Sequence, residues 1–416
     1  MRDKIEKVWL EFQVQSAIEL ETSIEKQAEQ RDDFEDSFYK IMAEKFIKKS
    51  DAVELPPLTL PVFSEIFNHT ITRDETGRFI VKLPFCNQPT GLGGSYEISN
   101  RRLLCLEKRF KSNIKLKAEY SKFLSEYASL GHMTEIIDEK EQDKSICCYL
   151  LHYAVYNENS TSTKISVVFD ALCKTASGVN LNDCLLKRPT IQNELIYILA
   201  RFRTHKFVLT SDIVKMYRQI RVTEEDNKYQ QILWRENPED VVRTFKLETI
   251  TYDTAPASFF SYCLFKKLAV EEKTNHPKAC EVFGCDFYMD NLLTGAQSRE
   301  EIVNLQGDLI AVFKKAGMEL LKWTSNIPDL LSESNDHMKV KLKETEGLLS
   351  SNSKLNRVLG LLWEVLSDVF KYNVLKMTED SNVPKRTILS YISTIFDPLG
   401  LVSPVVLRCK LLIQKL

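Results

Sequence analysis

The apolar positions of this chain change their period several times, and those changes divide it. Within residues 1–50 they recur at helical intervals, with Phe34, Phe38, Ile41, Met42 and Phe46 set among charged neighbours, which predicts a helical amino-terminal segment. Asp51 to Pro61 carries Pro56, Pro57 and Pro61, cannot continue a helix, and opens a linker and lobe extending to residue 145. In Gly77 to Phe85 the apolar residues Phe79, Val81 and Leu83 alternate, the period of a strand. From Arg101 to Lys117 the pattern is that of an amphipathic helix, with Leu103, Leu104, Leu106 and Phe110 interleaved among Arg101, Arg102, Lys108, Arg109, Lys111, Lys115 and Lys117. Strand character returns over Ile146 to Ala171, a helix over Ile191 to Arg203, and strand character again over Lys228 to Arg235 and Val241 to Glu248. Arg299 to Ala316 is helical by spacing.

Two of the apolar runs carry an acidic residue at an end. Lys206-Phe207-Val208-Leu209-Thr210-Ser211-Asp212 is a short β-type run closing on a carboxylate. Val282 to Leu293 is an apolar run broken at Asp290-Asn291, which predicts a β-hairpin with those two residues at its tip. Asp and Asn favour turns for local reasons, so the dipeptide alone says little. Two such strands side by side would bring both carboxylates to the same divalent ions. Paired ions about 3.5–4 Å apart stabilise the attacking and leaving oxygens of a phosphoryl displacement.

Composition narrows the picture only a little. The 416 residues are 44% hydrophobic, enough for a large core and more than one lobe. A net charge of −2 excludes a uniformly basic nucleic-acid binder, while a local groove lined by the Arg101 to Lys117 residues stays compatible with it. The 10 cysteines form no C-x-x-C pair, so neither a zinc site nor a secreted disulfide framework is expected. The charged start Met1-Arg2-Asp3-Lys4 leads into no signal-peptide core, and no apolar run is long enough to span a membrane. An intracellular, cytoplasmic location without membrane contact is expected.

Several short motifs stand in one order: Val167-Val168-Phe169-Asp170-Ala171, Asn180-Leu181-Asn182-Asp183, Ser211-Asp212-Ile213-Val214-Lys215-Met216-Tyr217-Arg218-Gln219-Ile220, Gln231-Ile232-Leu233-Trp234-Arg235, Phe287-Tyr288-Met289-Asp290-Asn291-Leu292-Leu293, Leu321-Lys322-Trp323-Thr324-Ser325-Asn326, and Phe396-Asp397-Pro398-Leu399-Gly400. Taken together they resemble the reverse transcriptases of BEL/Pao-type retrotransposons. The resemblance implies an α+β right-hand polymerase, with fingers and palm over 146–326 and a thumb and connection region over 327–416 preceding a ribonuclease H domain of which no motif is expected in this sequence. It implies an RNA-directed DNA polymerase using Mg²⁺ or Mn²⁺, acting on an RNA or DNA template with primer and on deoxynucleoside triphosphates. Virus-like particles and other polyprotein domains are its implied surroundings.

The same resemblance assigns roles by position. Asp212 and Asp290 would be catalytic metal ligands, with Asn291 where the family has a third carboxylate. Lys164 and Ser166 would face the nucleotide triphosphate, Ser166 replacing an arginine and so losing a bidentate fork. Tyr217 would stack under the nucleotide sugar and exclude a 2′-hydroxyl. Lys322 and Trp323 would belong to the primer-gripping hairpin. Asp253 stands where the family has glycine. The departures at Ser166, Asp253 and Asn291 touch chemistry, so a weak or silent polymerase is expected. A catalytically dead retroelement-derived chain that only binds nucleic acid or protein is the rival reading.

Overall fold

The computed structural model describes residue 67 and residues 70 to 415, apart from 87–88, 138–142, 145, 157–164, 187–192, 328–329, 331–354, 366, 372–384, 394, 396 and 401. The predicted helices of residues 1–50, the proline-rich linker and Lys164 lie outside the described residues.

The described chain opens with β1 (Thr72–Arg73) and β2 (Phe79–Val81), a narrow hairpin. Strand pairing thus covers only part of the predicted Gly77 to Phe85 run, because Leu83 turns instead to donate its N–H to Asp226 Oδ2 at 2.8 Å. Two helices follow, α1 (Tyr96–Ser112) and α2 (Ile114–Ser129). The predicted single helix over Arg101 to Lys117 is therefore broken at Asn113, whose side chain accepts from Leu116 N and caps the second helix. Leu103 and Leu106 are buried, whereas Leu104 is 41% exposed among the basic residues. It is three residues from Arg101 and four from Lys108, and so shares their face.

Next come β3 (Met133–Glu135), β4 (Leu151–Tyr156), β5 (Ile165–Asp170) and, after a single helical turn at Leu181–Cys184, α3 (Leu195–Arg203). Then follow β6 (Phe207–Ile213), β7 (Arg221–Val222), β8 (Gln231–Trp234) and β9 (Arg243–Leu247). Helices α4 (Ala257–Glu272) and α5 (Pro277–Cys285) lead to β10 (Phe287–Tyr288) and β11 (Asn291–Ala296), then α6 (Arg299–Lys315) and β12 (Leu320–Ser325). The last described elements are β13 (Leu355–Val358), β14 (Leu361–Glu364), β15 (Val369–Lys371), α7 (Lys385–Ser393) and α8 (Ser403–Lys415). The protein is of mixed α+β class, with helices packed on several small sheets.

The sheet that matters for the site runs β10-β11-β6-β12, all neighbours antiparallel. Directly paired residues share a face, so Val208, Thr210 and Asp212 lie with Gly295, Leu293 and Asn291, and Leu209 and Ser211 lie on the other face with Thr294 and Leu292. The Leu209 face joins the large core, which runs from Phe67 to Leu330. Phe265, Phe283, Phe287 and Phe313 close that core under the sheet, with ring centroids 5.1–6.0 Å apart. On the other face Val208 and Leu293 pack with Ile198, Leu199 and Phe202 of α3 and with Trp363 of β14. Gly295 is required where it stands, since a Cβ there would fall 2.5 Å from Phe207 O and from His205 Cβ.

The predicted hairpin over Val282 to Leu293 is corrected on its first arm. Val282 to Cys285 end helix α5, and only Phe287 and Tyr288 pair with the returning strand. The apolar run is buried in either form, so burial alone could not choose its period. Its tip also moves by one residue. Met289 and Asp290 form the turn, with Met289 at φ 57°, and Asn291 opens β11 opposite Tyr288.

Candidate active site

The central strand β6 carries Asp212 near its end, directly opposite Asn291 of β11. Ile213 N donates to Asp290 O at 2.8 Å, so the turn holding the second carboxylate is tied to the strand holding the first. Sequence reasoning paired Asp212 with Asp290, and the fold brings both to one corner of the four-stranded sheet.

The two carboxylates differ in their surroundings. Burial pushes the Asp290 carboxyl above the ordinary aspartate range and the charge of Asp212 pushes it further, while its own N–H, Lys322 and Asn291 pull it back. The Asn291 amide donates Nδ2–H to Asp290 Oδ1 at 2.9 Å. An aspartate at 291 could not make that bond, and it would set a third negative charge beside Asp212 and Asp290. Among the described residues no group of three or more His, Cys, Asp or Glu side chains is placed to hold a metal ion. The oxygens on offer at this corner are the carboxylates of Asp212 and Asp290 and the amide oxygen of Asn291.

A pH dependence follows, with a definite sign. A carboxyl whose folded value is raised costs nothing below its unfolded value and costs stability as pH rises through the folded value. Asp290→Asn is therefore expected to stabilise the metal-free protein at pH 7, by on the order of 1 kcal/mol, and to give no gain near pH 3. Urea denaturation across that range checks it, and a gain that persists undiminished at low pH would contradict the assignment.

Lys322 and Trp323 sit on β12, which among the described residues is an edge strand of this sheet, paired only with β6. The hairpin downstream is formed by β13 and β14. Leu321 pairs with Asp212 and Thr324 with Thr210, so two residues, Lys322 and Trp323, oppose the single Ser211. This is a β-bulge. Trp323 takes the core side and is buried, which removes its ring from contact with solvent. Lys322 adopts a left-handed φ of 56° and places Nζ 2.7 Å from Asp212 Oδ2. In a regular strand the residue opposite Ser211 would point into the core, so the bulge is what gives a lysine access to this carboxylate.

Tyr217 lies on the short turn after β6, in Met216–Gln219. Its ring is buried, meets Tyr252 edge-on at 5.1 Å, and its hydroxyl donates to Ser258 Oγ at 3.3 Å. The neighbouring Arg218 was not singled out from sequence, although a cation beside the tyrosine was a readable signal. It is buried with its guanidinium 4.8 Å from the Tyr127 ring, 5.0 Å from Phe123 and 5.9 Å from Tyr252. Burial first, and then the positive charges of Arg218, Arg78 and Lys215, lower the nearby His132 to about 4. That histidine is neutral at physiological pH.

Comparison with known families places one segment. Residues 384–416 match the family described as Pao retrotransposon-like RNaseH-like domain. This match supports a Pao-type retrotransposon origin for the chain. It covers α7 and α8, inside the range read from sequence as thumb and connection. No curated protein matches the chain.

The other positions at which the chain departs from its sequence resemblance can also be located. Ser166 is exposed on β5, opposite Val155, so a longer side chain would meet no core there. Asp253 does not take the left-handed conformation that a glycine would permit, and its backbone O accepts from Asn182 Nδ2 at 2.8 Å. Asn182 Oδ1 in turn accepts from Ala255 N at 2.7 Å. The Asn180-Leu181-Asn182-Asp183 motif thus clamps the turn that carries Asp253. Burial and the charge of Asp170 both raise the Asp253 carboxyl. The basic residues Arg101, Arg102, Lys108 and Arg109 all face solvent on α1. Among the described residues no helix is long and apolar enough to cross a membrane.

Proposed function

We propose that this chain carries the polymerase region of a Pao-type retroelement, an RNA-directed DNA polymerase that extends a primer 3′-hydroxyl with deoxynucleotides. The observation that carries the reading is the register that sets Asn291 opposite Asp212 and ties Asp290 to the same strand end. Two carboxylates and an amide oxygen fit a hard divalent cation, Mg²⁺ or Mn²⁺, that keeps part of its water shell. The ammonium already lying on Asp212 is a sign that the corner attracts positive charge. When bound, the metal would stabilise charge on the attacking and leaving oxygens.

The residues of the chain do the rest. Asp212 and Asp290 hold the negative charge that attracts the cation, and burial makes the Asp290 carboxyl harder to ionise than an ordinary aspartate. Asn291 keeps Asp290 oriented through its N–H donor. Tyr217, its buried ring braced by Tyr252 and Ser258 on the turn after β6, is the residue that would exclude a 2′-hydroxyl. The exposed arginines and lysines of α1 supply sequence-independent attraction for a nucleic-acid backbone.

Primer extension on an RNA template with Mn²⁺ tests the reading. Weak extension by the unaltered chain is expected, abolished by Asp212→Asn. Extension that survives Asp212→Asn, or none from either the unaltered chain or its Asn291→Asp variant, would sink it. The reading of a catalytically dead binding module draws on Asn291 and on the Lys322 contact, and predicts retained, salt-sensitive nucleic-acid binding without incorporation.

A further inference from the structure

The contact between Lys322 and Asp212 is made at a strained position of the backbone. Lys322 holds a left-handed backbone that a residue with a Cβ seldom adopts, at a bulge that interrupts the pairing of β12 with β6. The bulge seats Trp323 in the core, but it also delivers an ammonium to the carboxylate that the site reading makes a cation ligand. The pair is not buried: the Lys322 side chain is 66% exposed and that of Asp212 is 33% exposed. An exposed pair of this kind contributes little to folding. It can open and close on the surface without disturbing the sheet.

We infer that Lys322 is a tethered counter-ion that competes with a divalent cation for Asp212, so that metal can engage the corner only when the lysine side chain swings away. The inference rests on the reading of Asp212 and Asp290 as a cation site. Its physical basis is that one carboxylate cannot give its full charge to two cations, and that an ammonium on a flexible four-carbon stem is a mobile point charge. The same ammonium also opposes approach of any second positive charge. The departure at Asn291 sharpens the competition, since one negative charge fewer remains to hold both cations.

Mn²⁺ alone, titrated into the full chain without nucleotide and followed by the electron-spin resonance signal of the free ion, tests the inference. Lys322→Met keeps most of the stem and removes the charge. Lys322→Gly removes the charge and accepts the left-handed backbone without strain. Both are expected to bind Mn²⁺ about 3–10-fold more tightly than the unaltered chain, and Lys322→Arg to bind like it. Lys278→Met, which removes an exposed lysine of α5 paired with Glu301, is expected to change nothing. Unchanged affinity in both neutral variants, together with weaker binding in Asp290→Asn, would overturn the inference and leave the cation site standing. Absence of any Mn²⁺ binding that depends on Asp212 and Asp290, in all variants, would overturn the inference and the site reading together.

Discussion

Asn291→Asp is expected to raise primer extension by about 10²–10³-fold while lowering the stability of the metal-free protein. The gain has the size usually found when one preorganised electrostatic partner is added to or removed from an active site. The loss has its origin in three details. Position 291 lies directly opposite Asp212, its amide now donates to Asp290, and the Asp290 carboxyl is already pushed up by burial and by Asp212. A third carboxylate exchanges that donor for repulsion, and a divalent cation should reverse the penalty because it binds the folded site and not the unfolded chain. Single-nucleotide incorporation with Mn²⁺, set beside urea denaturation with and without Mn²⁺, checks both halves. An Asn291→Asp protein that folds, is stabilised no more by Mn²⁺ than the unaltered chain, and incorporates no faster would count against the assignment of this position. Adding Ser166→Arg should act separately, on the affinity for nucleotide, since Ser166 is exposed on a different sheet.

Asp286→Ala is expected to destabilise the fold by about 3–5 kcal/mol, the range found when one member of a buried ion pair is removed. Asp286 is buried between α5 and β10, pairs with Arg201 Nε at 2.7 Å, and accepts from Thr294 Oγ1 at 2.7 Å. Both side chains of the ion pair are shielded, 13% and 8% exposed. Removing the carboxylate leaves a guanidinium beneath the hairpin with no anion to meet it. Lys82→Ala, which breaks an exposed pair with Glu225, serves as the comparison and should cost less than about 1 kcal/mol. Equal losses for the two variants in urea denaturation would show that the Asp286 cluster does not hold the hairpin.

Some of this protein was settled locally and could be read from the chain. A short β-type apolar run marks β6 and places Asp212 near its end, and helical spacing marks α3 and α6 with only small errors at their ends. Those patterns are local because burial, of one face of a helix or of a whole short strand, acts directly on the residues that are buried. The Asp290 turn was legible too, since a polar break in an apolar run has few other uses.

The remaining features rest on contacts between distant segments. Val282 to Cys285 could be buried as helix or strand, and it is the aromatic cluster of Phe265, Phe283, Phe287 and Phe313 that makes it the end of a helix. The register that opposes Asn291 to Asp212 depends on a pairing between strands nearly eighty positions apart, which no local period encodes. The Arg201–Asp286 pair joins residues 85 positions apart. Lys322 read as one member of a Lys-Trp dipeptide, and only the bulge opposite Ser211 turned the tryptophan inward and the lysine onto Asp212. What the sequence by itself determined is where most of the strands and helices and the carboxylates they carry occur, because burial writes its period locally. Which charges meet was decided by tertiary structure, because a one-residue change of register or a single bulge moves a side chain from one face of a sheet to the other.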